Sequence, residues 1–237
     1  MNDASAPIAP PRRRRRTKIV VAILSLAVLY VVHVPLLRGI WNHLVVAASL
    51  QPADVGVVSQ STIDETVAAL RRGLFKRLLI VAAESTRTSS LGITPSPIDE
   101  LRRLLQVRGV ERHVVDVVPT PDDRTDSAAP AEALARYLAD RPGVTLGIIV
   151  ERHRSRYWST VLDRALPEPV RSRVAIVAAE RSRFDESRWW YDRLAVQAAA
   201  QQYLQLGFLH WHGAPPTSRP RWSVEALEAA VARGDRL

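Results

Sequence analysis

A run of arginines followed by a long apolar stretch constrains this chain more than any other feature. Arg12 to Arg16 are unbroken, Lys18 follows, and residues 19–37 are almost wholly apolar. At about 1.5 Å per residue this stretch makes a helix of roughly 28 Å, close to the ~30 Å hydrocarbon core of a bilayer. Guanidinium groups cross that core with difficulty, so the arginines are expected to stay in the cytoplasm. The pattern therefore predicts a single transmembrane helix, with the remainder of the chain outside the cytoplasm.

Two other interpretations of this segment are weaker. A cleaved signal peptide has a shorter apolar core with a small-residue cleavage site soon after it, whereas apolar residues here continue past Trp41 to Ala48. The arginine run also resembles a nucleic-acid-binding arm. It accounts for more than half of the net charge of +9, and an apolar span begins directly after Lys18. Membrane lipid is therefore the expected partner, and nucleic acid is not.

The chain divides into five segments by composition. They are a basic cytoplasmic arm (1–18), the transmembrane helix (19–37), a juxtamembrane segment (38–50), a domain (51–213) and a Pro-rich linker with a short C-terminal helix (214–237). The domain is long enough for one substantial core. The chain has no cysteine, which excludes disulfides, thiolate zinc ligands and a cysteine nucleophile.

Within the domain, short apolar runs alternate with segments of helical periodicity. The predicted strands are 55–58, 78–82, 114–118, 145–150 and 174–178, and the predicted helices begin near Thr62, Ser96, Pro130, Tyr157 and Trp189. Thr62 and Glu65 are predicted to form a capping box at the first helix, and Ser96-Pro97 to open the second with proline at its first position. Continuous apolar strands separated by helices are typical of a parallel sheet that is covered on both faces. We therefore predict an α/β fold: a Rossmann-like, doubly wound, mainly parallel sheet of five strands, preceded by one transmembrane helix.

Ligands of such folds bind beyond the carboxyl ends of the strands, so the loops at those ends hold the candidate site. The candidates are Glu84 after the second strand, Asp123 and Thr125 after the third, and His153, Arg154 and Arg156 after the fourth. Several cationic or titratable groups at the start of a helix repel one another and oppose the helix dipole. An anionic ligand or an internal network of ion pairs would relieve that repulsion, and the sequence leaves both open.

Other chemical motifs are missing. The sequence has no Gly-rich phosphate loop and no Gly-x-Ser-x-Gly nucleophile elbow. His210 and His212 lack a third ligand, so no metal is expected, and no cofactor is predicted. Trp189, Trp190 and Tyr191 are expected to serve packing, or else to form a wall of the site.

Across about residues 54–207 the domain resembles the SanA/ElyC/YdcF-like family of bacterial envelope proteins. The resemblance is carried by residues 67–81, by residues 100–110, by the loop 123–127 and above all by the fourth strand running into His153-Arg154-Ser155-Arg156. It carries over Thr125, His153 and Arg156, whereas Glu84, Asp123 and Arg154 depend on placement alone. The glycine pairs that the family has after strands one and two are replaced by Ser59-Gln60 and by Ala82-Ala83-Glu84.

The resemblance implies a single-span protein of the bacterial inner membrane that acts in cell-envelope biogenesis, in peptidoglycan, lipid-carrier or surface-polysaccharide metabolism. Its implied ligand is an anionic, phosphate-bearing glycan or lipid-linked precursor. Arg154 and Arg156 would hold the anion, His153 would act as acid or base, and Asp123 or Glu84 would orient it. The alternative is a non-catalytic scaffold or binding protein whose partners are other envelope proteins.

Overall fold

The computed structural model describes residues 12–46, 48–120 and 128–213. Five strands form one parallel sheet in the order β3-β2-β1-β4-β5. The strands are β1 (Ala53–Val58), β2 (Phe75–Ala83), β3 (Val115–Thr120), β4 (Leu146–Val150) and β5 (Val174–Ala178). This is the doubly wound, Rossmann-like α/β fold that the alternation of strands and helices predicts.

Helices cover both faces of the sheet, which explains why the strands are almost continuously apolar. The helices within the domain are α2 (Ile63–Arg71), α3 (Arg87–Ser90), α4 (Pro97–Val107), α5 (Ala128–Ala139), α6 (Ser155–Ala165), α7 (Glu168–Arg171) and α8 (Arg193–His212). The core on one face contains buried residues of α2 and α4. The core on the other face contains buried residues of α5, α6 and the end of α8.

The aromatic ring of Phe75 fixes the packing of the first of these faces. Phe75 opens β2, and its ring covers Gly56 of β1 and Gly147 of β4 so closely that a methyl group at either glycine would collide with it. Both glycines therefore serve close packing and not a special backbone conformation.

Helix α1 (Arg12–Leu44) is the N-terminal apolar helix, and it is one continuous element that includes Pro35. Residues Val21–Leu44 are long and apolar enough to cross a membrane, and none of the most apolar stretch is buried inside the protein. The C-terminal turns behave differently, because Trp41 and Leu44 are fully buried against the domain. Helix α1 thus continues through much of the predicted juxtamembrane segment and ends inside the domain's third core cluster.

Of the two predicted helix starts with a capping pattern, one is confirmed and one is wrong. Ser96 caps α4 by accepting a hydrogen bond from the Asp99 amide, as predicted from Ser96-Pro97. A capping box of Thr62 and Glu65, also predicted, is wrong: the Thr62 side chain makes no cap hydrogen bond to α2. Both side chains are used in tertiary contacts instead, as described below.

The last predicted helix is displaced along the chain. Trp189–Tyr191 form a separate 3-10 turn, and α8 begins only at Arg193, where the Asp192 carboxylate accepts hydrogen bonds from the Leu194 and Ala195 amides. Trp189 is buried, in agreement with a packing role. The predicted linker and helix of residues 214–237 lie outside the described residues.

Candidate functional site

A cleft of about 940 Å³ opens at the point where the strand order reverses. Chain connections run outward from β1 to β2 on one side, whereas β4 lies on the other side of β1, so the reversal falls between β1 and β4. Ser61 and Thr62 after β1, and Ile149 and Arg152 at the end of β4, line the cleft. Doubly wound α/β proteins bind ligands at this place. The location makes the cleft the candidate site.

Three further elements complete the walls of the cleft. Helix α2 contributes one wall, the loop 180–183 after β5 contributes the opposite one, and residues 48–50 close it from the side of helix α1. The loop after β5 is held by Glu65, whose carboxylate accepts hydrogen bonds from the amides of Glu180 (2.9 Å) and Arg181 (3.1 Å). Glu65 therefore sets the width of the cleft.

All the carboxylates that line the cleft have hydrogen-bonding or ionic partners, whereas only some of its arginines have a carboxylate partner. Its three carboxylates are engaged: Asp64 contacts Arg108 (2.6 Å), Glu180 contacts Arg72 (3.8 Å), and Glu65 binds the loop amides. Of its four arginines, Arg72 and Arg152 have carboxylate partners.

Two arginines of the cleft remain available to a ligand. Within the part of the chain that the structure describes, Arg181 and Arg183 make no ion pair, and both are exposed. The Arg183 guanidinium lies 5.7 Å from the centre of the Phe184 ring. The cleft therefore offers two uncompensated guanidinium groups, which suit an anionic ligand.

A buried hydroxyl occupies the crevice between β1 and β4. The Thr62 hydroxyl donates a 2.8 Å hydrogen bond to the Ile149 carbonyl, and Thr62 is 4 % exposed. In dinucleotide-binding folds a glycine-rich turn lets the phosphates approach the backbone closely at this place. Here a side chain closes the crevice, so a ligand has to lie beside it, in the cleft over α2 and the loop after β5.

His153 follows β4 and is only 8 % exposed. Its ring lies 5.9 Å from the Trp41 ring and 5.5 Å from the Phe184 ring, centre to centre. Burial lowers the pKa of His153 below its ordinary value, with the positive charges of Arg154 and Arg183 acting in the same direction and Glu151 and Glu186 opposing them. The side chain packs against Trp41 of helix α1, and the lowered pKa favours its neutral form.

The arginines around His153 are mostly engaged in internal contacts. The Arg152 guanidinium forms a 2.6 Å ion pair with Glu186, and Arg154 lies 3.9 Å from Glu151. Arg156 donates from Nε to the His43 carbonyl at 2.8 Å. An ion pair therefore engages Arg152, and a hydrogen bond to a helix carbonyl engages Arg156, as an internal network would require. Arg154 keeps a partly exposed guanidinium.

Of the remaining predicted site residues, the structure describes Glu84 and does not bring it together with His153. Glu84 is exposed after β2, which is separated from β4 by β1, so the two strand ends are about 10 Å apart. Asp123 and Thr125 lie outside the described residues. Among the residues with described positions, no group of three His, Asp or Glu side chains could hold a metal ion.

Sequence reasoning missed the contribution of helix α1 to this region. Four side chains of the domain bind carbonyl or amide groups at the end of that helix or just after it: Trp189 binds the Leu37 carbonyl, Tyr203 the Ile40 carbonyl, Arg156 the His43 carbonyl and Ser155 the Val46 amide. Only the last four carbonyls of a helix have no partner within it, so Arg156 caps the helix at the His43 carbonyl. The other three contacts fix the helix and the segment after it to the domain. No local pattern in the sequence indicates contacts over such separations.

Comparisons with known proteins give one structural similarity. No family model matches the chain, and no curated protein matches it. Among solved structures, it is similar to a bifunctional NMN adenylyltransferase/ADP ribose pyrophosphatase from Francisella tularensis, with a TM-score of 0.37 and 12 % sequence identity over 69 % of this chain. The chain spans 57 % of the length of that structure.

Proposed function

We propose that this chain is a single-span protein of the bacterial inner membrane whose α/β domain lies outside the cytoplasm and binds an anionic, phosphate-bearing glycan or lipid precursor of the cell envelope. The observation that carries the proposal is the cleft at the strand-order reversal, with its two unpaired arginines, Arg181 and Arg183. The resemblance to the SanA/ElyC/YdcF-like family supports the envelope role.

The position of the cleft supports a ligand that is carried by the membrane. Residues 48–50 line the cleft, and only a few residues separate them from Leu44, the last residue of helix α1. A ligand in the cleft is therefore close to the point where the membrane helix meets the domain. A phosphate group held by Arg181 and Arg183 fits a lipid-linked precursor better than a freely diffusing polymer.

A non-catalytic binding protein is the form of this proposal that the geometry favours. The buried ring of His153 is surrounded by Trp41 and Phe184, and the Arg156 guanidinium binds a helix carbonyl. A general acid or base must come within hydrogen-bond reach of its substrate, and His153 cannot do so without movement of helix α1. The residues that resemble a catalytic motif thus hold the membrane helix.

Binding of a phosphate-bearing lipid tests the proposal. The full chain in detergent micelles would be titrated with farnesyl diphosphate, with farnesol as the uncharged comparison. Removing both guanidinium groups in the Arg181→Ala/Arg183→Ala variant should weaken diphosphate binding at least tenfold, since each charge-assisted hydrogen bond contributes about 1.5–3 kcal/mol.

A matched control is available in a second cleft of about 530 Å³ on the protein surface, which contains Arg102 and Arg112. The Arg102→Ala/Arg112→Ala variant has the same change in net charge and should bind the diphosphate like the unmodified protein. Equal weakening by both double variants, or equal affinity for farnesol, would contradict the assignment of the cleft.

The orientation is tested separately by reporter fusions at the C-terminus. Alkaline phosphatase, which is active only outside the cytoplasm, should be active, and β-galactosidase, which is active only inside, should not. The opposite pattern would place the domain in the cytoplasm and refute the proposed localisation.

A further inference from the structure

Helix α1 leaves the domain on the side of the sheet's carboxyl edge. The start of α8 lies at that edge because α8 follows the loop after β5, whereas its end lies at the amino edge, where Arg164 at the end of α6 binds the Leu209 carbonyl. His43 stacks on Tyr203, halfway along α8, and the Leu37 carbonyl binds Trp189, just before α8 begins. Going towards its N-terminus, α1 therefore runs along α8 and out past the carboxyl edge.

Large apolar side chains are exposed at the same edge, in the loop after β2 and around the start of α8. Leu91 is 66 % and Ile93 is 70 % exposed, and both lie between α3 and α4 in the loop that follows β2. Tyr191 is 78 % and Leu194 is 54 % exposed, and they are close in sequence to Trp189 and Ala195, which pack in one cluster with Trp41 of α1. Exposed apolar side chains grouped on one side of a protein indicate an interaction surface.

The sequence of the first loop suits contact with a lipid surface. Residues 85–98 contain Arg87 and no acidic residue, so this loop itself has no carboxylate to be repelled by anionic headgroups. Tyrosine beside a membrane helix is typical of the bilayer interface, because its ring is apolar and its hydroxyl is polar.

We infer that the carboxyl edge of the sheet rests on the membrane, with Leu91 and Ile93 inserted into the bilayer interface on one side of helix α1 and Tyr191 and Leu194 on the other. This inference depends on the proposed membrane crossing of α1 and adds a second membrane contact. It also turns the candidate cleft, which opens at this edge, towards the lipid headgroups.

Depth-dependent quenching tests the inference on the full chain. Because the protein has no cysteine, single cysteines can be introduced and labelled with a fluorophore at chosen exposed positions. Leu91→Cys and Ile93→Cys report on the loop. The control is Val107→Cys, which is also an exposed apolar position (73 %) but lies at the end of α4, on the opposite edge.

A fourth label, at Leu26→Cys within helix α1, reports on the membrane crossing itself. Each labelled protein would be reconstituted into vesicles of phosphatidylethanolamine and phosphatidylglycerol that carry nitroxide-labelled lipid. We expect the labels at positions 26, 91 and 93 to lose most of their fluorescence and the label at position 107 to keep it.

The four labels separate the possible outcomes. Quenching at position 26 without quenching at 91 and 93 would overturn the inference and leave the membrane anchor intact. No quenching at position 26 would overturn the anchor and the inference together. Equal quenching at 91, 93 and 107 would also overturn the inference, because the domain would then contact lipid without a preferred edge.

Discussion

The indole ring of Trp41 and the imidazole ring of His153 lie 5.9 Å apart, centre to centre, inside a cluster of aromatic side chains. Trp41 belongs to the last turns of helix α1, and His153 follows β4, one of the two strands between which the strand order reverses. Helix α1 and the domain therefore share one core. Four changes test how this shared core and the sheet beneath it are stabilised.

Truncating Trp41 should destabilise the domain strongly. The side chain is fully buried, and replacing a buried tryptophan with alanine costs about 3–5 kcal/mol through lost burial and the cavity that remains. Trp41→Phe should cost much less, because the indole Nε1 is buried without a hydrogen-bond partner among the described residues and phenylalanine removes that polar group. The free energy of unfolding of the full chain in detergent would be measured by urea titration.

The exposed Trp211, with 85 % of its surface accessible, provides the control for Trp41. Trp211→Ala should change the free energy of unfolding by no more than about 0.5 kcal/mol. If Trp41→Ala were as mild as Trp211→Ala, helix α1 would not share a core with the domain.

The stability of the domain should fall in mildly acidic solution because of His153. Burial lowers its pKa in the folded state, so below the ordinary value of about 6.5 the unfolded chain binds a proton that the folded chain resists. The contribution is fully present above that pH and is lost as the pH falls from it towards the lowered pKa.

Unfolding would be measured at about pH 7.5 and 5.5 for the unmodified protein and for His153→Leu, in which this proton uptake is removed. The difference between the two pH values should be smaller in His153→Leu. His113→Leu is the control, because His113 is exposed and pairs with Glu111 at the surface. An unchanged pH dependence in His153→Leu would show that the histidine is not buried as a neutral ring.

The segment just after helix α1 should loosen when the Ser155 hydroxyl is removed. Ser155 is fully buried, and its hydroxyl accepts a 2.8 Å hydrogen bond from the Val46 amide. Ser155→Ala leaves that amide without its partner, at a cost of about 1–3 kcal/mol. Hydrogen exchange should become faster at the Val46 amide and remain unchanged in β4. The surface hydroxyl of Ser172, which binds only the Pro169 carbonyl, provides a control in Ser172→Ala.

The close packing of Phe75 should make Gly147 intolerant of a side chain. In Gly147→Ala the new methyl group collides with the ring, and overpacking of a core typically costs about 1–3 kcal/mol. Phe75→Leu should recover part of that loss in the double variant, so the two changes should not be additive. Gly207→Ala is the control: it lies in α8 with no atom near the added methyl group, and it should be neutral or slightly stabilising.

The fold was largely predictable because its signals are local. Each of the five strands is an apolar run of sheet length, each was predicted within a few residues of its position, and Ser96-Pro97 marked the start of α4 correctly. The predicted capping box failed for a physical reason: the Thr62 hydroxyl binds the Ile149 carbonyl, and the Glu65 carboxylate binds the loop after β5. The two side chains thus form hydrogen bonds to distant parts of the chain in place of the local hydrogen bonds of a capping box.

The candidate site was less predictable, because it depends on contacts between distant parts of the chain. The sequence places His153, Arg154 and Arg156 at the correct edge of the sheet, and the structure agrees. It does not reveal that Trp41 covers His153 or that Arg156 binds the His43 carbonyl, since these partners are more than a hundred positions away. Trp41 alone is equally well explained as an anchor at the bilayer interface.

The position at which helix α1 ends has a mechanical consequence. A helix joined to its domain by a flexible tether would move independently of it, but here the last turns of helix α1 are themselves part of the domain's core. In the proposed membrane-crossing arrangement, a change in bilayer thickness that tilts the helix would move the domain with it, about a pivot near Trp41 that acts as a fulcrum. The arginines of the cleft, a short distance from that fulcrum, would then approach or leave the headgroup layer as the lipid around the protein changes.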